Sequence, residues 1–295
     1  MIVAVCSDKG SPGASTLAVA LGLVWPGRRA VVEADPSGGV LAFRMRHAES
    51  GEVLKPDPTV ASLGAVARLG LPADAVLDYT QPTTLGVPVI PGPLTAERFV
   101  PLRSLWGQIA TEVAAWRGTA ITDLGRMQPG NAALPMARAA TAVLLLAGAD
   151  LEGLFHLRER AGELAGVLGD AGRDSNPMAL VVTGPAKHRT QALRQVEQMQ
   201  AAAGSPIPVA GFFAQDPQAA AALWGGQVTR RLAGSDLIRS ARGIAETLIR
   251  WWPQLAATTD TATPGAGDPA AAPPAEAAGP ADAQHLLPHG QDARA

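Results

Sequence analysis

Seven short apolar runs punctuate the chain: 2–6 (IVAVC), 30–34 (AVVEA), 86–90 (GVPVI), 119–123 (TAITD), 142–147 (AVLLLA), 179–183 (ALVVT) and 207–212 (IPVAGF). Stretches with helical spacing lie among them at 14–24, 59–69, 103–117, 130–139, 151–168, 189–203 and 216–223, and a last one at 235–252. The runs are continuously apolar rather than alternating, so both faces of each strand must be covered. That requirement predicts an α/β fold, a doubly wound, mostly parallel sheet of about seven strands with helices on both faces. Ligands of such sheets bind at the carboxyl ends of the strands. Two helix starts have local causes: Asp216 as an N-cap followed by Pro217, and Ser235 as the N-cap of the terminal helix. In that helix Leu237, Ala241, Ile244, Leu248 and Trp252 share one face, which predicts core packing.

With 295 residues, 47% of them hydrophobic, the chain can bury one large core. The predicted globular domain spans 1–253. Beyond it, 254–295 is rich in Ala, Pro and Gly and nearly free of large apolar residues, which predicts a disordered tail. The formal net charge is −2 and no long basic run occurs, so DNA is an unfavoured partner. Cys6 is the sole cysteine and sits in an apolar run, which predicts a small buried hydrophobe in a reducing, cytoplasmic setting. The start of the chain lacks the charged region and cleavage site of a signal peptide. The stretch 46–58 (RHAESGEVLKPDP) reads as a mobile loop past the first two strands.

The first apolar run leads into DKGSPGAST, residues 8–16. A strand, a glycine-bearing turn and a helix start make an anion site, because free backbone N–H groups and the positive end of the helix dipole converge there. Gly10 and Gly13 let the backbone approach an oxygen, and Ser15 and Thr16 supply hydroxyls. Against the pattern G-x-x-x-x-G-K-[ST], Ala14 replaces the lysine and Asp8 the first glycine. The second strand ends in EADPSGG with Glu33 and Asp35, and the fourth in TDLGR with Asp123 and Gly125. Carboxylates at strand ends beside such a loop suit a magnesium-dependent phosphate chemistry.

In this order and spacing, DKGSPGAST, EADPSGG, TDLGR and PVAGFFAQDPQAAAALWGG resemble the MinD/ParA family of deviant Walker A ATPases over about residues 1–250. The loop KGSPGAST, with GVPVIPGP at 86–93, is most similar to the CpaE/TadZ branch of localisation and pilus-assembly proteins. The resemblance implies a P-loop NTPase fold with ATP and Mg2+ as cofactors, bound by Lys9, Gly10, Ser11, Pro12, Gly13, Ala14, Ser15 and Thr16. It implies that Lys9 reaches across an ATP-bound homodimer to the partner's phosphates and that Asp35 orients the attacking water. Ser15 and Asp123 would hold magnesium, Thr16 the α-phosphate, and Glu33 stands in place of that motif's first aspartate. Thr183 occupies a position where relatives often carry a base-reading asparagine.

The implied function is an ATP-dependent dimerising switch that positions a cellular machine, such as a pilus or secretion apparatus or a chromosome or division component. Its turnover is weak or stimulated, because Ala14 removes a cation that would neutralise charge on the β- and γ-phosphates. A protein partner in such a system follows, at the cytoplasmic side of a membrane or a cell pole, with the pair Trp251 and Trp252 as the one hint of peripheral membrane contact. Two other readings stay open: a pseudo-ATPase scaffold and a DNA-partitioning ATPase. The five histidines, His47, His156, His188, His285 and His289, lack metal-ligand spacing, and Arg126 reads as a surface arginine rather than a catalytic finger.

Overall fold

The computed structural model describes residues 1–9, 13–72, 74–169 and 177–256. Its seven strands are β1 (Ile2–Ser7), β2 (Arg29–Glu33), β3 (Val89–Ile90), β4 (Thr119–Arg126), β5 (Ala142–Gly148), β6 (Met178–Pro185) and β7 (Val209–Gln215). They form one sheet in the order β3-β2-β4-β1-β5-β6-β7, with every neighbouring pair parallel. The helices are α1 (Ala14–Val24), α2 (Leu41–Arg44), α3 (Val60–Ala67), α4 (Ala96–Phe99), α5 (Trp106–Ala115), α6 (Leu134–Ala139), α7 (Leu151–Gly169), α8 (Arg189–Ala202), α9 (Pro217–Trp224), α10 (Arg230–Ala233) and α11 (Asp236–Trp251).

All seven predicted strands are present, displaced by a few residues where proline intervenes. Pro88 has no N–H to give a ladder, so the run at 86–90 pairs only over Val89–Ile90. Pro206 and Pro208 delay the last strand to Val209, after which it runs on to Gln215. The helix predicted at 103–117 starts at Trp106, because residues Val100–Ser104 form a tighter 3-10 turn. The one at 130–139 starts at Leu134, after the Asn131 side chain takes the Ala133 N–H at 2.7 Å.

Alternate residues of the central strands feed two cores, one on each face. Ile2, Ala4 and Cys6 of β1 pack with α3, α5, α6, α7 and α8, whereas Val3 and Val5 pack with α1, α9 and α11. Helix α1 is apolar around most of its circumference because it lies between the sheet and α11, with Leu17, Ala18, Val19, Ala20 and Leu21 fully buried. Both predicted caps on that side are formed: Asp216 accepts from Ala219 N at 2.9 Å and Ser235 Oγ from Ile238 N at 3.2 Å. Leu237, Ala241, Ile244 and Leu248 of α11 are buried, as is Cys6. Leu255 is buried too; the rest of the predicted tail, from 257 on, lies outside the described residues.

The stretch 46–58 carries no helix or strand, but it is tied to the sheet. Arg46 bridges Val53, His47 bridges Thr83, and the buried Gln81 side chain bonds Lys55 N and O and Pro58 O. No helix among the described residues is long and apolar enough to cross a membrane.

What fixes the height of α1 over the sheet is Gly22. A Cβ there would come 2.6 Å from Val31 Cγ2 and 3.0 Å from Val87 Cγ1. Alanine would gain about 1 kcal/mol of helix propensity but overpack this contact by about 2 kcal/mol. We expect Gly22→Ala to lower stability by about 1 kcal/mol and Gly22→Leu by about 3 kcal/mol in urea titration.

Candidate functional site

The end of β1 and the start of α1 build the floor of the site. Gly13, the N-cap, has φ 99°, a left-handed conformation that a side chain would strain, and no side chain caps the helix. The first N–H groups of α1 therefore lack intrahelical and side-chain partners, which is the arrangement that binds anions. The adjoining cavity, of about 650 Å³, is lined by Ser7, Gly13–Thr16, Asp35, Ser37, Val40, Arg44, Gly125 and Arg126. Of the predicted loop residues, Gly10, Ser11 and Pro12 lie outside the described residues.

Three carboxylates end the neighbouring strands β2 and β4, and each has a different environment. Glu33, in register with Asp123, is buried and its oxygens are filled by backbone: Oε1 accepts from Val40 N at 2.5 Å and Leu41 N at 3.0 Å, Oε2 from Gly92 N at 2.9 Å. Burial nevertheless pushes its pKa up to about 7, with the three N–H groups pulling the other way. The chain wraps this carboxylate closely, and a Cβ on Gly39 would collide with it. Glu33 thus staples the 38–41 segment and the turn after β3 onto the end of β2, a structural duty that sequence reading missed.

Asp123 is the opposite case. Its Oδ1 accepts from Gly125 N at 3.0 Å, while Oδ2 is buried and makes no well-formed hydrogen bond. Burial raises its pKa to about 6; the Ser15 hydroxyl stands near enough to hold it down in part, and Asp35 raises it further. Asp35 accepts from Ser37 N at 2.8 Å through Oδ1, and burial raises its pKa against the pull of Ser37 and of the Arg126 cation. Its carboxyl lies against Gly125, φ +58°, where an added Cβ would overlap it. So the structure brings Ser15, Thr16 and Asp35 to one cavity, with Asp123 buried beside Ser15 and off the cavity lining.

Lys9 goes elsewhere. Its exposed Nζ pairs with Glu152 Oε1 at 2.6 Å and approaches His156 Nε2 at 3.4 Å, both on the first turns of α7. Beside it Asp8 accepts from Arg160 Nε at 2.7 Å. These α7 partners were not anticipated: Glu152, His156 and Arg160 recur at i, i+4, i+8 on one face, a pattern legible in sequence once the helix was known to flank the loop. Thr183 is buried in β6 with an unpartnered hydroxyl and does not line the cavity. His47 is buried and its Nδ1 faces Glu49 N.

An all-parallel sheet whose first strand runs through a glycine turn into a helix, with acids at the ends of the flanking strands, is the P-loop NTPase architecture. No protein-family model and no curated protein matches the chain. Solved structures do match. A ParA family ATPase from Chlorobium tepidum TLS has TM-score 0.64 at 16% identity, covering 83% of this chain and 98% of its own. The septum site-determining protein MinD from Pyrococcus horikoshii OT3, complexed with Mg-ADP, has TM-score 0.60 at 16% identity, covering 86% and 98%. A variant of Cyanothece McdA in complex with ATP has TM-score 0.62 at 19% identity, covering 84% and 95%. The fold is the one these ParA/MinD ATPases share.

Two outcomes test this geometry. Gly125→Ala should cost about 2 kcal/mol, from left-handed strain and displacement of Asp35, read as a lower urea midpoint. For Asp123, a folded pKa raised to about 6 means the carboxyl holds its proton more tightly folded than unfolded, so its stability contribution falls as pH rises from about 4 to 6 and stays low above that. The penalty is about 3 kcal/mol. Asn loses it while leaving one unpartnered amide costing about 1 kcal/mol. Asp123→Asn, with EDTA, should therefore be about 2 kcal/mol more stable than wild type at pH 7 and no more stable at pH 4.

Proposed function

We propose that this chain is an ATP-binding switch that dimerises on its nucleotide and positions a partner assembly. The observation that carries this reading is the buried Oδ2 of Asp123, left without a well-formed hydrogen bond beside Ser15 and the uncapped start of α1. A carboxylate held in that state suits Mg2+, which keeps its waters and binds through one carboxylate plus phosphate oxygens. Among the described residues no three His, Cys, Asp or Glu side chains form a cage for a metal. The donor set fits a nucleotide-borne ion.

Within this reading Ser15 and Asp123 hold Mg2+, directly and through water, and the loop amides with Thr16 hold the phosphates. Asp35, with a pKa raised by burial, orients water. Lys9 crosses to the phosphates of a second copy, as the loop's likeness to deviant Walker A sequences implies. The exposed Leu151 and Phe155, 88% and 59% accessible beside Glu152, offer that second copy an apolar contact. Ala14 makes turnover slow. The assembly positioned belongs to the pilus or secretion, chromosome or division class, at the cytoplasmic face of a membrane or a cell pole, with the CpaE/TadZ branch as the finer assignment.

A scaffold that binds ATP without turnover is the second reading, and Ala14 is the observation that favours it. Size-exclusion chromatography with quantified nucleotide separates the readings. Wild type should retain ATP and become dimeric with ATP and Mg2+, and Lys9→Ala should stay monomeric. Asp35→Ala should prolong the dimer only if hydrolysis resets it. Glu152→Ala, which frees Lys9 from a solvent-exposed and therefore weak pair, should dimerise at lower ATP concentration. A chain that never retains ATP defeats the switch and leaves only a scaffold that binds no nucleotide.

A further inference from the structure

The missing lysine at position 14 leaves the cavity short of a cation, and the structure places one there from a different strand. Arg126 is the last residue of β4, in register with Ser7 at the end of β1, and both line the cavity with Gly13–Thr16. Gly125, turning at φ +58°, separates Arg126 from the strand that delivers Asp123. The guanidinium is exposed and forms no hydrogen bond or ion pair among the described residues, whereas Lys9 is held by Glu152 and Arg160 by Asp8 and Glu163. Arg44, the other arginine on the cavity, stacks over the Trp224 ring at 5.0 Å. Arg126 is thus a free cation facing an anion site, near enough to Asp35 to favour its ionised form.

We propose that Arg126 binds the terminal phosphate of the nucleotide within its own protomer, supplying from β4 the charge that Ala14 removes from the loop. This deepens the ATP-binding reading above and rests on it. A planar guanidinium can take two phosphate oxygens at once, which a lysine at 14 would approach as a point charge. An arginine supplied in cis from outside the loop is a general solution to charge on a transferred phosphoryl group. Arg126 is exposed, as expected of a surface arginine, and that exposed position lies on the cavity wall.

The test is isothermal titration with AMPPNP and with ADP, each with Mg2+, on the full chain. Arg126→Ala should weaken AMPPNP by about 10- to 100-fold, the loss of a charge-assisted contact, and ADP by less than about 3-fold. Arg126→Lys should recover most of the AMPPNP affinity, and adding Ala14→Lys to Arg126→Ala should restore it, so that the two positions are coupled. Thermal unfolding of Arg126→Ala should match wild type, since the side chain is exposed. Unchanged AMPPNP binding by Arg126→Ala, or equal loss of AMPPNP and ADP, overturns the proposal while leaving nucleotide binding intact. Wild type that binds neither nucleotide overturns the ATP-binding reading itself, and this proposal with it.

Discussion

Burying negative charge at the carboxyl ends of β2 and β4 governs how the rest of the site is built. Glu33 and Asp123 face each other in register, and Ala34 N donates to Asp123 O at 2.8 Å, so the two strand ends are locked together with both carboxylates inside. An ionised carboxylate out of water is costly unless its lone pairs are filled. Glu33 offsets part of this cost with three backbone N–H groups, burial still holding its pKa up at about 7, and the local geometry follows: the 38–41 segment and the turn after β3 must close on it, with Gly39 and Gly92 leaving no room for side chains. Asp123 leaves half of the problem unsolved. One acid therefore holds the segment that lines the cavity through Val40, and the other keeps an unfilled oxygen buried beside Ser15.

The cations around the cavity are distributed in a matching way. Asp8 and Lys9, at the start of the loop, are both engaged by α7, through Arg160 and Glu152 respectively. Because α7 follows β5 and β5 lies beside β1, the sheet order itself sets this helix against the loop. The Asp8 contact is mostly buried, whereas the Lys9 contact is solvent-exposed and correspondingly weak. The loop is thus anchored at one residue and releasable at the next. That asymmetry is consistent with the proposal that Lys9 changes partners on dimerisation.

How much of this was legible in the sequence depends on the range of the interactions concerned. Continuous apolar runs such as AVLLLA and ALVVT dictate buried parallel strands locally, and the caps at Asp216 and Ser235 act over three residues. The acids Glu33, Asp35 and Asp123 could be placed at strand ends by the same local rule. Which of them is satisfied could not, because the partners of Glu33 come from Val40, Leu41 and Gly92, up to 59 residues away. Likewise Lys9 and Glu152 are 143 residues apart, and only the β1–β5 adjacency joins them. Helix boundaries at 103–106 and 130–134 shifted for smaller reasons, a 3-10 turn and an asparagine turn ahead of the helix that spacing alone does not resolve.

The energetic state of Asp123 bears on the choice between a switch and an inert scaffold. With its pKa raised to about 6, the residue is ionised at neutral pH at the expense of folding stability. Asparagine would keep the Oδ1 contact to Gly125 N and avoid the charge. A fold that takes up no cation gains nothing from a buried, half-satisfied carboxylate next to an uncapped helix start. A fold that takes up a cation recovers the cost on binding, since a divalent ion favours the ionised form and fills Oδ2. The same logic extends to Asp35 and the free Arg126 across the cavity: two groups of opposite charge, close enough to interact yet not paired, leave each available to a ligand carrying both metal and phosphate. The absence of lysine at position 14 therefore changes which strand supplies the positive charge rather than removing the reason for the site.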